Sequence, residues 1–81
     1  MKAEEVLIIT MEECGELVQA CSKVMRSEGK KKYLKNLKEE IGDVYLMLDL
    51  LKQHGYFTDE DLVERQQLKR KKLERWSNLD V

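Results

Sequence analysis

A chain of 81 residues has room for one domain, residues 1–81, and at that size folding buries only roughly 60% of the unfolded surface, so a lone helical core is marginal and an oligomer is expected. The 38% charged content, the absence of proline and the abundance of Leu, Glu, Lys, Met and Gln exclude long irregular loops and leave strands little support. A net charge of −1 counts against a polyanion binder, and the one marked apolar run near the start, Val6 to Ile9, is too short for a signal-peptide core or a membrane span, which implies a cytoplasmic protein.

The first predicted helix runs from about Ala3 to Ser27. Its apolar positions Val6, Ile9, Leu17, Val18, Cys21, Val24 and Met25 recur at helical spacing, and Gly29 follows as a natural stop. Cys14 and Cys21 lie about 10.5 Å apart along this helix, beyond the ~7 Å Cα limit of a disulfide, so they are expected to be buried thiols.

Ser27 to Lys32 forms the connection, after which Leu34, Leu37, Ile41, Tyr45, Leu48 and Leu51 mark a second helix closed by His54 and Gly55. The third start signal is the sharpest. Thr58 caps, Asp61 completes a capping-box-like pair, and Phe57 and Leu62 take the positions of a hydrophobic staple. Helix three then spans about Asp59 to Trp76, with a weaker stripe of Leu62, Gln66, Lys69, Leu73 and Trp76 that suits an edge or a second subunit. The expected architecture is all-α: an antiparallel bundle of three main helices per chain, completed by homodimerisation.

Charge is uneven along this frame. Residues 1–28 hold three basic and six acidic groups, residues 62–81 six basic and three acidic, so an anionic partner is expected to meet the C-terminal segment.

The carboxylates carry the chemistry. Glu12, Glu13 and Glu16 stand at i, i+1 and i+4, within roughly 100° of one another on helix one, and share that face with Ile9 and Ala20. Glu40 and Asp43 repeat the device on helix two, beside Met47 and Leu50. Packed together, the two helices would gather four or five acids in one cleft, which repulsion and desolvation oppose unless a cation neutralises them. All-oxygen ligation favours Mg²⁺, Mn²⁺ or Ca²⁺ over zinc, and a magnesium site that keeps open positions suits phosphate ligands. Glu-Glu pairs are also common as plain solvated faces, so spacing alone leaves both readings open. The Glu-x-x-His pairs of a ferritin-like di-iron bundle are absent.

The two acidic motifs resemble those of the MazG-like all-α nucleoside triphosphate pyrophosphohydrolases: Glu-Glu-x-x-Glu at Glu12-Glu13-Cys14-Gly15-Glu16, then Glu-x-x-Asp at Glu40-Ile41-Gly42-Asp43. The stretches Glu12 to Lys23 and Asn36 to Leu51 are similar to the family's two central helices, and Gln67 to Arg75 to the basic tail helix of its short bacterial and phage members. The resemblance implies a four-helix-type core in a dimer or dimer of dimers. It implies hydrolysis of nucleoside triphosphates to monophosphate and pyrophosphate with Mg²⁺, for which Mn²⁺ can substitute, as housekeeping of the nucleotide pool. It assigns metal to Glu13, Glu16, Glu40 and Asp43, and leaves Glu12 as the carboxylate that orients or deprotonates the attacking water.

Phosphates also need cations. The candidates are Lys23, Lys30 to Lys32, Lys69, Arg70 and Lys72, of which Lys23, Lys69 and Lys72 are placed at the substrate. Gly15 and Gly42 inside the helices each cost roughly 1 kcal/mol against Ala, which a close contact or plain packing would explain. Tyr33, Tyr45, Tyr56, Phe57 and Trp76 offer either core packing or a stacking surface for a base. Two other readings compete: a metal-binding helical interaction module without turnover, and a nucleic-acid binder using Arg65 to Arg75, against which the overall acidic balance argues.

Overall fold

In the computed structural model, which describes residues 2–81, three helices follow one another: α1 (Lys2–Arg26), α2 (Lys31–Gln53) and α3 (Asp59–Trp76), with no strand among the described residues. The predicted helix count and order hold. α2 starts three residues before Leu34, within the predicted connection, because Lys31 and Lys32 are exposed and carry no apolar signature.

α1 and α2 form an antiparallel hairpin held by one seam. On α1 the inward positions are Val6, Thr10, Glu13, Leu17, Ala20 and Val24, and on α2 they are Tyr33, Leu37, Glu40, Val44, Met47 and Leu51, all half-buried or buried. The alternating steps of three and four residues keep each row on one side of its helix, as in a two-stranded coil. Thr10 is reconciled to this seam by donating its hydroxyl to Val6 O at 2.7 Å.

The tight connection is made by left-handed backbone at Glu28 (φ 56°) and Gly29 (φ 80°), with Gly29 N–H donating to Val24 O at 3.0 Å. Gly55 (φ 81°) ends α2 in the same manner, and Tyr56 N–H returns to Leu51 O at 3.1 Å. At α3 the predicted capping box is present: Asp61 N–H donates to Thr58 Oγ1 at 3.2 Å and Thr58 N–H to Asp61 Oδ2 at 2.9 Å.

The predicted three-helix bundle within one chain does not form. Only α1 and α2 pack along each other, and α3 leaves the hairpin after one exposed tie, Lys52 Nζ to Asp59 Oδ1 at 3.2 Å. Its weak apolar stripe has too little surface to hold it against its own chain. The consequence is an open shape of 40 × 32 × 15 Å with a radius of gyration of 15.1 Å, where a compact chain of this length has about 12 Å.

The core is correspondingly small. Ala20 (1% exposed) and Met47 (6%) are the buried apolar residues among those described. A second row on α1, Leu7, Met11, Cys14, Val18, Cys21 and Met25, lies one residue beyond the seam and is exposed throughout, as is the matching row Leu34, Ile41, Tyr45 and Leu48 on α2. Both rows are offset by +100° from the seam, and in an antiparallel pair that offset carries them to the same side of the hairpin. The cysteines are therefore exposed, not buried as the periodicity suggested, because they belong to the uncovered row. Tyr45, Tyr56 and Trp76 are exposed as well, and only Tyr33 and Phe57 are half-buried. Gly15 and Gly42 face open space, so no close helix contact accounts for them. Among the described residues no helix is long and apolar enough to cross a membrane.

Candidate metal centre

Two glutamates occupy positions in a seam made mostly of Leu, Val, Ala and Met. Glu13 follows Thr10 and precedes Leu17, and Glu40 lies between Leu37 and Val44, so the coil geometry turns both side chains inward toward the facing helix. Each has its Oε2 atom shielded from solvent without a hydrogen-bond partner. Asp43, one turn after Glu40 and exposed, completes a set: one carboxylate oxygen from each of Glu13, Glu40 and Asp43 lies within 4.8 Å of the others.

Glu16 and Glu12 are exposed on the shoulder one residue back from the seam, on the side opposite the bare apolar rows. The sequence reading placed Glu12, Glu13 and Glu16 on one common face. The structure separates them into one inward acid and two flanking ones, because α2 packs on the row that steps from Thr10 to Glu13 to Leu17.

The electrostatics follow from this crowding. Burial raises the Glu13 carboxyl above its ordinary value of 4.5, and the charges of Glu16, Asp43 and Glu12 push it the same way, in that order. Burial also raises Glu40, followed by the nearby Glu16 carboxyl and then by the charges of Asp43 and Glu13. Thus Glu16 acts on both seam acids although it lies outside the tight three-oxygen set.

Two shielded oxygens without donors, beside at least two further carboxylates, are costly in the absence of positive charge. A hard divalent cation fits this donor set, which is all oxygen. Cys14 and Cys21 stand on the opposite side of the hairpin, and His54 caps the far end of α2, so no soft ligand joins the cluster.

The three lysines expected at a substrate stand at two places in the chain. Lys23 lines a cleft at the hairpin tip with Arg26, Ser27, Lys30 and Tyr33. Lys69 lines a shallow surface on α3 with Gln66, Arg70, Leu73 and Val81, and Lys72 is exposed on the same helix. None of the three forms an ion pair with the carboxylates among the described residues.

A family model described as the MazG nucleotide pyrophosphohydrolase domain matches residues 2–77. No curated protein and no solved structure matches the chain.

Proposed function

The chain belongs to the MazG nucleotide pyrophosphohydrolase domain family, and on that premise we propose that it hydrolyses nucleoside or deoxynucleoside triphosphates to the monophosphate and pyrophosphate, in the service of the nucleotide pool. The observation that carries this reading is the convergence of Glu13, Glu40 and Asp43 within 4.8 Å.

In this proposal Glu13, Glu16, Glu40 and Asp43 hold Mg²⁺, with Mn²⁺ as a substitute. A divalent cation held there supplies neutralising charge for phosphate oxygens and a more acidic water. The seam glutamates are held rigidly by the two packed helices, so they fix where the phosphates sit. Glu12, on the exposed shoulder, accepts the proton of the attacking water. The water oxygen forms a bond to phosphorus at the α–β linkage, the bridging P–O bond breaks, and its electron pair leaves with the departing phosphate group.

The working unit in this account is a homodimer or a dimer of dimers. The chain exposes 6943 Å², whereas a compact monomer of this mass exposes roughly 5,100 Å². The excess is ample for a standard interface, which buries about 800 Å² per partner. A second copy covers the bare rows around Val18 and Tyr45 and completes a four-helix core. α3, which packs along neither α1 nor α2, then carries Lys69 and Lys72 toward the carboxylates of the second copy, and Lys23 approaches the outer end of the phosphate chain.

The experiment is product analysis on a panel of ribo- and deoxynucleoside triphosphates with and without Mg²⁺. Monophosphate and pyrophosphate as the only products support the proposal. Diphosphate and inorganic phosphate would contradict it, and metal binding without turnover would make the chain a helical metal-binding interaction module.

A further inference from the structure

The hairpin tip breaks the charge rule that the other helices obey. α1 and α3 begin with Glu4 and Glu5 and with Asp59, Glu60 and Asp61, as the helix dipole favours. α2 begins with Lys30, Lys31 and Lys32, has no acidic residue in its first turn, and receives no side-chain cap. The end of α1 adds Lys23 and Arg26, and between Lys23 and Lys35 six basic residues meet one acid, Glu28. None of these cations has an ion-pair partner among the described residues, where the ion pair is Lys52 to Asp59.

Three of these charges line a concavity. A cleft of about 420 Å³ is lined by Lys23, Arg26, Ser27, Lys30 and Tyr33, within the usual size range of small-molecule sites. Lys32 lies over the Tyr33 ring at 4.9 Å, which holds another ammonium group beside this wall. Ser27 Oγ donates to Val24 O at 3.3 Å and accepts from Lys30 N–H at 3.3 Å, tying the two sides of the cleft together. By contrast the basic residues of α3 are strung along an isolated helix among Glu64 and Glu74. Arg26 lies thirteen residues beyond Glu13, about 20 Å along α1, and Lys30 lies past the turn, so these two stand apart from the carboxylate centre, with Lys23 between the two places.

We propose that the tip cleft is a second site, binding a nucleotide-sized phosphorylated anion without a metal. Arg26 and Lys30 supply the charge-assisted hydrogen bonds, and the uncapped start of α2 faces a ligand of the sign its dipole attracts. Long nucleic acid is the poorer fit, since the acidic face of the same hairpin repels a polyanion that extends past the cleft.

The test is an NMR titration of the ¹⁵N-labelled full chain with ATP in EDTA, where the carboxylate centre has no metal. Saturable shifts at the amides of Ser27 to Tyr33 are expected, retained in Glu16→Ala and weakened about tenfold or more in the Arg26→Ala/Lys30→Ala variant. Shifts centred on Glu13 and Glu40 would overturn the proposal. So would unchanged binding in the double variant, or shifts reproduced by sodium chloride at equal ionic strength. A short single-stranded DNA that binds the same amides more tightly than ATP would overturn it in favour of a nucleic-acid surface. Because no turnover is read, failure here leaves the pyrophosphohydrolase proposal standing, and loss of turnover leaves this one standing.

Discussion

Glu13 and Glu40 face each other across the α1–α2 seam, each with one carboxylate oxygen shielded and unpaired, in rows that carry Leu, Val, Ala and Met at every other position but Thr10 and Tyr33. A packed hairpin with two such acids is less stable than one with apolar residues there, and a function that needs the charge explains their presence.

The pH dependence of the metal-free protein follows with a definite sign. Both carboxyls titrate above the ordinary value of 4.5 in the folded chain, so between that value and their raised values the folded state binds more protons than the unfolded state. Their protonated forms stabilise the fold below 4.5, and that contribution is lost as the pH rises through the raised values. Thermal melts in EDTA should therefore give a Tm that increases as the pH falls toward 4.5, with a smaller increase in the Glu13→Gln/Glu40→Gln variant. An equal slope in that variant would place the dependence elsewhere.

Metal should replace the proton as the neutralising charge. Saturating Mg²⁺ at pH 7.5 is expected to raise the Tm of the wild type, since a ligand that binds only the folded state stabilises it. Glu13→Leu should melt higher than wild type in EDTA and show no response to Mg²⁺. A Glu13→Leu chain that melts lower without metal would mean the acid is a structural group.

The bare rows make a separate prediction. Val18 is 69% exposed in the single chain, in the middle of the α1 row, and Val18→Glu places a charge where the second copy is proposed to pack. Light scattering should show a dimer or tetramer for wild type and a loosened, lower-mass species for the variant. A wild-type monomer that melts cooperatively would remove the need for a partner.

Gly15 and Gly42 have no heavy atom within 4 Å of where a Cβ would sit, apart from their own helix surroundings. Gly15→Ala and Gly42→Ala should then each stabilise the protein by about 1 kcal/mol, the helix-propensity difference alone. Denaturant titration measures this. A loss of stability at either site would show that a second copy approaches the helix there.

Local signals were the most legible part of the sequence. Thr58 and Asp61 declare the start of α3 because a capping box is complete within four residues, and Gly29 and Gly55 declare ends because left-handed backbone favours glycine. The acidic motifs pointed to Glu13, Glu40 and Asp43 for the same reason: i to i+3 spacing on a helix is local geometry. What spacing did not reveal was which of two adjacent apolar rows the chain covers itself. Val6, Leu17 and Val24 lie in the seam, while Val18, Cys21 and Met25, at the same periodicity, lie outside it. That division depends on where α2 packs, which also decides that Glu13 turns inward and Glu16 does not. The isolation of α3 was equally hidden, since a weak apolar stripe reads alike whether it packs on its own chain or on another.

The central claim is that the seam carboxylates hold the metal that supports triphosphate cleavage. Its most direct measurement is Mg²⁺-dependent release of monophosphate and pyrophosphate by wild type and by Glu40→Gln, a substitution that keeps the side-chain shape and removes the charge. The account predicts turnover in wild type that disappears in Glu40→Gln while helicity by circular dichroism is retained. Undiminished turnover by a folded Glu40→Gln chain would contradict it.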